Sequence, residues 1–238
     1  MAKGDRKAGQ GGSQPSPAGT AAGASGAPGD SGASAGTSID IATPPYLVGE
    51  TRIKRIVVTQ LTFVEWVTAL RAADATRQIE KSTDVKKYFQ RERMKRQVKA
   101  YADGDALVTL SALDIMQMPR AYAMSVVRAL DMNTGMPGEV ISEGDGVTSP
   151  ILYKLSRPLR TNQDSITELE FSGRTLGDIE DVIAADTMPD QALALIRTCA
   201  KPVGGEVNLI ALPSWAVDAV SLVDGLTILE KVLPRFLA

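Results

Sequence analysis

Side chains that attack, transfer protons or hold metals are scarce in this chain. Across 238 residues there is no histidine and a single cysteine, Cys199. That removes the usual zinc ligand sets, Ser-His-Asp and Cys-His nucleophilic catalysis, and the commonest general base. It also excludes an internal disulfide, and leaves carboxylate-only metal binding as the one open metal chemistry. Cys199 falls on the apolar stripe of a helical pattern with Ala192, Leu193, Leu195 and Ile196, so a small buried hydrophobe is expected there rather than a reactive thiol. Thr175 and Asp178 place a hydroxyl beside an acid at helical spacing. With no base in reach, the pair predicts a capping box that starts a helix. Residues 3–12 are glycine-rich but lack the Gly-Lys-Ser/Thr ending of a phosphate loop and follow no strand. The sequence therefore predicts a protein that is not an enzyme, with no catalytic, cofactor-binding or metal-ligating residues and no cofactor.

The elements around the Thr175/Asp178 pair form the best-defined stretch, residues 151–185. Apolar residues recur at Ile151, Tyr153 and Leu155 and again at Ile166, Leu169 and Phe171, with a polar TNQD turn at 161–164 between them, which predicts a β-hairpin. Leu176, Ile179, Val182 and Ile183 then follow helical spacing. Further on, Met188-Pro189 starts another helix, Lys201-Pro202-Val203-Gly204-Gly205 breaks it, and Val207-Asn208-Leu209 leads to a helix start at Pro213-Ser214. Short helical runs finish the chain, with Trp215, Ala219 and Leu222 in one and Leu226, Leu229, Val232, Leu233 and Phe236 in the last; Pro234 predicts an irregular final turn.

Earlier residues give a looser version of the same order. Residues 1–48 are dominated by Gly, Ala, Ser, Thr, Pro and Gln with no aromatic before Tyr46, and such a segment predicts a disordered tail. After Pro44-Pro45, Ile53, Ile56, Val58, Leu61 and Phe63 make an imperfect strand, and Thr62 with Glu65 caps a helix carrying Val64, Trp66, Val67 and Leu70. Residues 81–99 are the most charged part and predict a basic helix with Lys86, Lys87, Arg91, Arg93, Lys95, Arg96 and Lys99 around Val85, Tyr88, Phe89, Met94 and Val98. Two readings of it stand: a solvated helix that buries its aromatics, or a surface for nucleic acid or an acidic partner. The pattern from 107 to 131 is helical, Pro119 starting its second helix, and Met116, Met118, Met124, Met132 and Met136 there suit core filling or an adaptable binding surface. Residues 133–150, rich in Gly, Pro and acids, read as a linker.

The formal net charge of -2 argues against a general nucleic-acid-coating role. No long apolar run and no signal-peptide core follow Lys3, Arg6 and Lys7, so a soluble, cytoplasmic protein with no membrane partner is expected.

Internal similarity supports two copies of one unit. VTQLTF at 58–63 matches ITELEF at 166–171, each leading to a helix ending in Ala-Ala-Asp at Ala72-Ala73-Asp74 and Ala184-Ala185-Asp186, and TLSAL at 109–113 matches NLIAL at 208–212. The second copy resembles the phage tail assembly chaperones of the E-type family of Mu-like and P2-like phages. The resemblance rests on Leu155-Ser156-Arg157-Pro158-Leu159, on Thr167-Glu168-Leu169-Glu170-Phe171, on Arg174-Thr175-Leu176-Gly177-Asp178-Ile179, and on Val232-Leu233-Pro234-Arg235-Phe236-Leu237. It covers somewhat more than a third of the chain. It departs from the family in being duplicated and in its long beginning, and Glu65-Trp66 stands where the second copy has its longer link. The resemblance implies a non-enzymatic cytoplasmic protein that binds the tape measure protein, helps recruit tail tube subunits, and is absent from the finished virion.

The resulting expectation is an α+β fold of two related small modules, each a short antiparallel β ribbon packed on α-helices, behind the disordered tail 1–48: a first module over 49–132 with the inserted basic helix, the linker 133–150, and a chaperone-like module over 151–238. The apolar positions Leu226, Leu229 and Phe236 are expected core residues that a partner helix could alternatively contact. The other function classes the sequence supports are a small nucleic-acid-binding or regulatory protein working through 81–99, and a structural tail component; self-association is compatible with any of them.

Overall fold

The computed structural model describes residues 36–132, 135–160, 165–173, 175–203 and 211–238. The turn expected at 161–164, Arg174 and the Val207-Asn208-Leu209 run lie outside the described residues.

In chain order the first half gives β1 (Thr37–Asp40), β2 (Tyr46–Val48), β3 (Thr51–Ile53), β4 (Arg55–Val58), α1 (Phe63–Ile79), α2 (Val85–Gln97), β5 (Val98–Tyr101), β6 (Leu107–Val108), α3 (Ala112–Gln117) and α4 (Arg120–Met132). The second half gives β7 (Glu139–Val140), β8 (Ile151–Arg160), β9 (Ser165–Phe171), α5 (Leu176–Ala184), α6 (Met188–Thr198), β10 (Ala200–Pro202), α7 (Ser214–Ala219) and α8 (Leu222–Thr227), which continues through a π-helical turn, Ile228–Val232, into α9 (Leu233–Phe236). Two 4-stranded antiparallel sheets, ordered β1-β4-β5-β6 and β10-β9-β8-β7, each carry helices on one face, and β2 with β3 makes a separate small ribbon. The fold is α+β, as the alternation of ribbon and capped-helix signals implies.

The two halves share an order of elements, in a register set by packing, with β6 and β7 lacking a counterpart among the described residues. Thr37 pairs with Val58 where Ile151 pairs with Phe171, Tyr46 with Ile53 where Leu159 pairs with Ile166, and Val58 with Val98 where Phe171 pairs with Ala200. Ile53, Ile56 and Val58 thus occupy the buried positions of Ile166, Leu169 and Phe171. Thr62 follows Val58 at the distance at which Thr175 follows Phe171, and both open helices with complete capping boxes, to Glu65 and to Asp178. After the helix pair and return strand, α3 and α7 are each 6 residues long and stop alike, at Met118 (φ -57, ψ 130) and Val220 (φ -58, ψ 125). Even one polar contact recurs: the N–H of Ala42 donates to the Tyr122 hydroxyl at 3.1 Å, and the N–H of Ser156 donates to Asp224 Oδ1 at 2.9 Å, Tyr122 and Asp224 sitting at the same point of their helices.

This register corrects the one drawn from matching letters. VTQLTF spans the end of β4, a loop and the start of α1, whereas ITELEF lies wholly within β9, and α1 runs on past Ala72-Ala73-Asp74 to Ile79. Identity of letters followed a shared composition; burial and turn length carry the true equivalence.

Other expectations are corrected by long-range pairing. Order extends into the expected tail 1–48, because β1 bonds along the edge of β4 and β2 along β3. The expected linker 133–150 contains β7, which adds to β8, and a turn closed by Asp145, whose carboxylate accepts from the N–H groups of Val147, Thr148 and Ser149 at 2.9, 2.7 and 3.1 Å. The Thr148 hydroxyl and these amides hold the Asp145 carboxyl well below the ordinary carboxylate range. The basic helix expected over 81–99 ends at Gln97 and passes directly into β5, so Val98 and Lys99 are strand residues. Leu107, read as helical, lies in β6.

Two apolar cores result. One joins Ile41, Tyr46, Ile53, Ile56, Val126 and Leu130 beneath the first sheet. The other joins Ile151, Leu169, Phe171, Ile196, Ile228 and Phe236 beneath the second sheet, and it also takes in Phe63 and Val67 of α1. Gly225 makes that crossing fit, since a Cβ there would lie 2.0 Å from Phe63 Cγ. Gly146, at φ 78, likewise leaves room for the Phe236 ring, only 2.3 Å from where its Cβ would stand.

Candidate functional site

The densest polar constellation surrounds Asp224, a charged side chain buried to 1% exposure. Ser221 caps α8, and the Ser-x-x-Asp spacing turns the Asp224 carboxylate back toward the second sheet. Its Oδ1 accepts from Gly138 N at 3.1 Å, the Tyr153 hydroxyl at 2.8 Å and Ser156 N at 2.9 Å; its Oδ2 accepts from the hydroxyls of Ser156 at 2.6 Å and Ser221 at 2.7 Å. Burial first, and then the neighbouring carboxylate, pushes the Tyr153 phenol far above its ordinary value. Ser156 beside an acid has the look of an activated nucleophile. The Ser156 hydroxyl is one of five donors that saturate Asp224, the pattern of an anchoring hydrogen-bond network. What the arrangement does is tie the β7 approach, the β8 bulge and α8 to one anion, with each polar group satisfied. The adjoining cleft, bordered by Gln60, Arg93, Gln97, Ser156 and Arg157, encloses about 20 Å³, room for about one water rather than for a substrate.

The residues singled out by sequence take structural positions. Thr175 N donates to Asp178 Oδ2 at 2.9 Å and Asp178 N to Thr175 Oγ1 at 3.3 Å, the reciprocal cap the spacing predicts. Cys199 is fully buried, its thiol donating to the Asp178 carbonyl at 3.1 Å, and burial pushes that thiol up. Phe236 is packed inside the second core, which withdraws it from the partner contacts considered for it; Leu226 and Leu229 are half-buried. On α2, Tyr88 is buried and hydrogen-bonds Glu80, Phe89 lies edge-on to Trp66, and Arg93 donates to the Leu130 carbonyl at 3.0 Å. Burial thus withdraws Tyr88 from stacking on a base, while Phe89 is half-buried. Among the described residues no group of three acidic or Cys side chains is placed to hold a metal.

A groove that sequence reasoning missed runs between α1, α5 and α6. It measures about 240 Å³ and is bordered by Arg71, Asp181, Asp190, Leu193, Ala194 and Arg197. Arg71 Nε donates to Asp190 Oδ1 at 2.8 Å across it, joining the two halves. Its lining mixes Ala185, Leu193 and Ala194 with charges of both signs, the chemistry an amphipathic helix can meet. No local signal marks it, because the pair α5 and α6 becomes a groove only where Arg71 of the distant α1 closes its side. The Asp224 cluster had a signal, the Ser221-x-x-Asp224 cap spacing.

Compared with family models, characterised proteins and solved structures, the chain matches none. Among the described residues no helix is long and apolar enough to cross a membrane.

Proposed function

We propose that the protein is a non-enzymatic phage tail assembly chaperone that holds helical segments of the tape measure protein during tail assembly in the infected cell's cytoplasm, helps recruit tail tube subunits, and leaves before the virion is complete. The carrying observation is that the first three motif segments of the resemblance fall on one ribbon and the helix after it: Pro158 in the bulge of β8, Thr167 through Phe171 in β9, and the Thr175/Asp178 cap of α5. The groove between α1, α5 and α6 supports the reading physically, as a place for an amphipathic client helix.

Co-expression with the tape measure protein of the same genome tests it. A soluble complex is expected from the native chain, and loss of that complex from Ala194→Arg, which fills the groove from a half-buried position. Failure of the native chain to bind or solubilise the tape measure protein overturns the reading. Presence of the chain in purified virions by mass spectrometry would make it a structural tail component instead.

A further inference from the structure

The basic helix α2 has no task in the chaperone reading. It holds six cations, Lys86, Lys87, Arg91, Arg93, Lys95 and Arg96, against one acid, Glu92, a local charge of +5 on 13 residues. The formal net charge of the whole chain is -2, so the remainder carries -7. α6, which holds the same place in the order of the second half, buries Ala192, Leu193, Leu195 and Ile196 and has one cation, Arg197. By contrast α2 buries only Tyr88 and Gln97. One copy thus uses this helix to fill a core, and the other turns it toward solvent with its charge concentrated on it.

Two of the six cations are committed to the fold. Arg93 donates to the Gln97 side chain at 2.7 Å and to the Leu130 carbonyl at 3.0 Å, and Arg96 Nε is buried. The other four face outward: Lys86, Lys87 and Lys95 are exposed and Arg91 is half-exposed. Lys87, Arg91 and Lys95 are spaced four residues apart, so they leave one side of the helix about 6 Å apart along its axis. Lys87 and Arg91 share the Tyr88 ring, 5.8 and 5.7 Å from its centre. Like charges at this spacing destabilise a helix. Of the four outward cations only Lys95 has a carboxylate partner, Glu92 at 2.5 Å. An anion laid along the row would relieve that repulsion.

We propose that the outward stripe of α2 binds the phosphate backbone of nucleic acid, without regard to base sequence. Its composition selects that partner over an acidic protein. The centre of a protein interface is built on apolar and aromatic anchors and is depleted in Lys, whereas this stripe is mostly Lys, with Tyr88 buried beneath it and Phe89 set edge-on to Trp66. Phosphates require only cations within reach of a regular row of charges. The same placement of the aromatics takes away base stacking, so the contact carries no sequence preference. The negative charge on the rest of the chain confines the contact to α2, a single patch rather than a coat.

Fluorescence anisotropy of a short labelled DNA duplex, titrated with the full chain over a rising salt series, tests this. Four outward cations predict a slope of about -3 to -4 for the logarithm of the binding constant against the logarithm of salt concentration. Lys87→Gln is expected to lower that slope in magnitude by about 1. The combined variant Lys87→Gln/Arg91→Gln/Lys95→Gln is expected to lose binding at low salt with unchanged circular dichroism. Lys154→Gln, which removes an exposed cation of the second sheet, is expected to bind as the native chain does. A second duplex of unrelated sequence should bind equally. No binding by the native chain at low salt, native binding by the combined variant, or displacement of the duplex by polyglutamate as readily as by unlabelled duplex of equal charge overturns the proposal; the last result would assign the stripe to an acidic polypeptide. The outcome is separable from the chaperone reading, because none of these residues borders the groove between α1, α5 and α6.

Discussion

The hydroxyl of Tyr153 donates to Asp224 Oδ1 at 2.8 Å with both side chains withdrawn from solvent, and three separate segments of the second half hang on that carboxylate. Tyr153→Phe removes one donor to a charged acceptor and is expected to destabilise by about 1.5–3 kcal/mol. Asp224→Asn should cost more, since its amide nitrogen faces groups that are themselves donors and leaves several unpaired. Guanidinium denaturation of both variants checks the order; an Asp224→Asn protein as stable as the native would remove the case for the anion as an anchor.

Alkaline pH should act through Tyr46. Burial, reinforced by Asp114, pushes its phenol from 10.0 to about 12. Below 10.0 the folded and unfolded chains both hold the proton; between 10.0 and about 12 the unfolded chain gives it up and the folded chain does not, so stability falls across that window. Tyr153 works in the same direction. Urea midpoints measured through this range should decline in the native protein and decline less in Tyr46→Phe.

Acid should act through Asp145. Its carboxyl lies below the ordinary 3.8, so its contribution is whole above that pH and is lost as pH falls further. Asp145→Asn is expected to flatten the acid limb of the stability profile and to speed amide exchange at Val147 and Thr148. Identical acid limbs in the two proteins would show the turn to be held by something else.

Cys199 should be silent in the folded state. Because the thiol is buried and its pKa raised, labelling by a thiol-specific disulfide reagent is expected to be slow in native buffer and complete in denaturant. Rapid native labelling would mean that the α5 and α6 pair opens far more readily than its packing implies.

Local chemistry made the helix starts legible: Thr62/Glu65 and Thr175/Asp178 are both reciprocal caps, and the Ile151 and Phe171 runs are the two strands of the ribbon. What was not legible depends on partners distant in the chain. Thr37 through Asp40 carry little apolar character, and their order comes from bonding to β4. The repeat was visible as an order of elements but not in register, because Ile53, Ile56 and Val58 share burial rather than letters with Ile166, Leu169 and Phe171. Nothing near Phe63 signals that its ring belongs to a core built mainly from residues beyond 150.

That placement of Phe63 decides how the chain can be cut. A fragment beginning in the segment 133–150 would keep the second sheet and the helices after it, yet would lack the aromatic ring and the Val67 side chain that close its core. The first fragment would carry the same two residues into water. The useful boundary is therefore not the glycine- and proline-rich stretch, and dissection of the protein into independent pieces should begin from swapping α1 between them rather than from cleaving the chain.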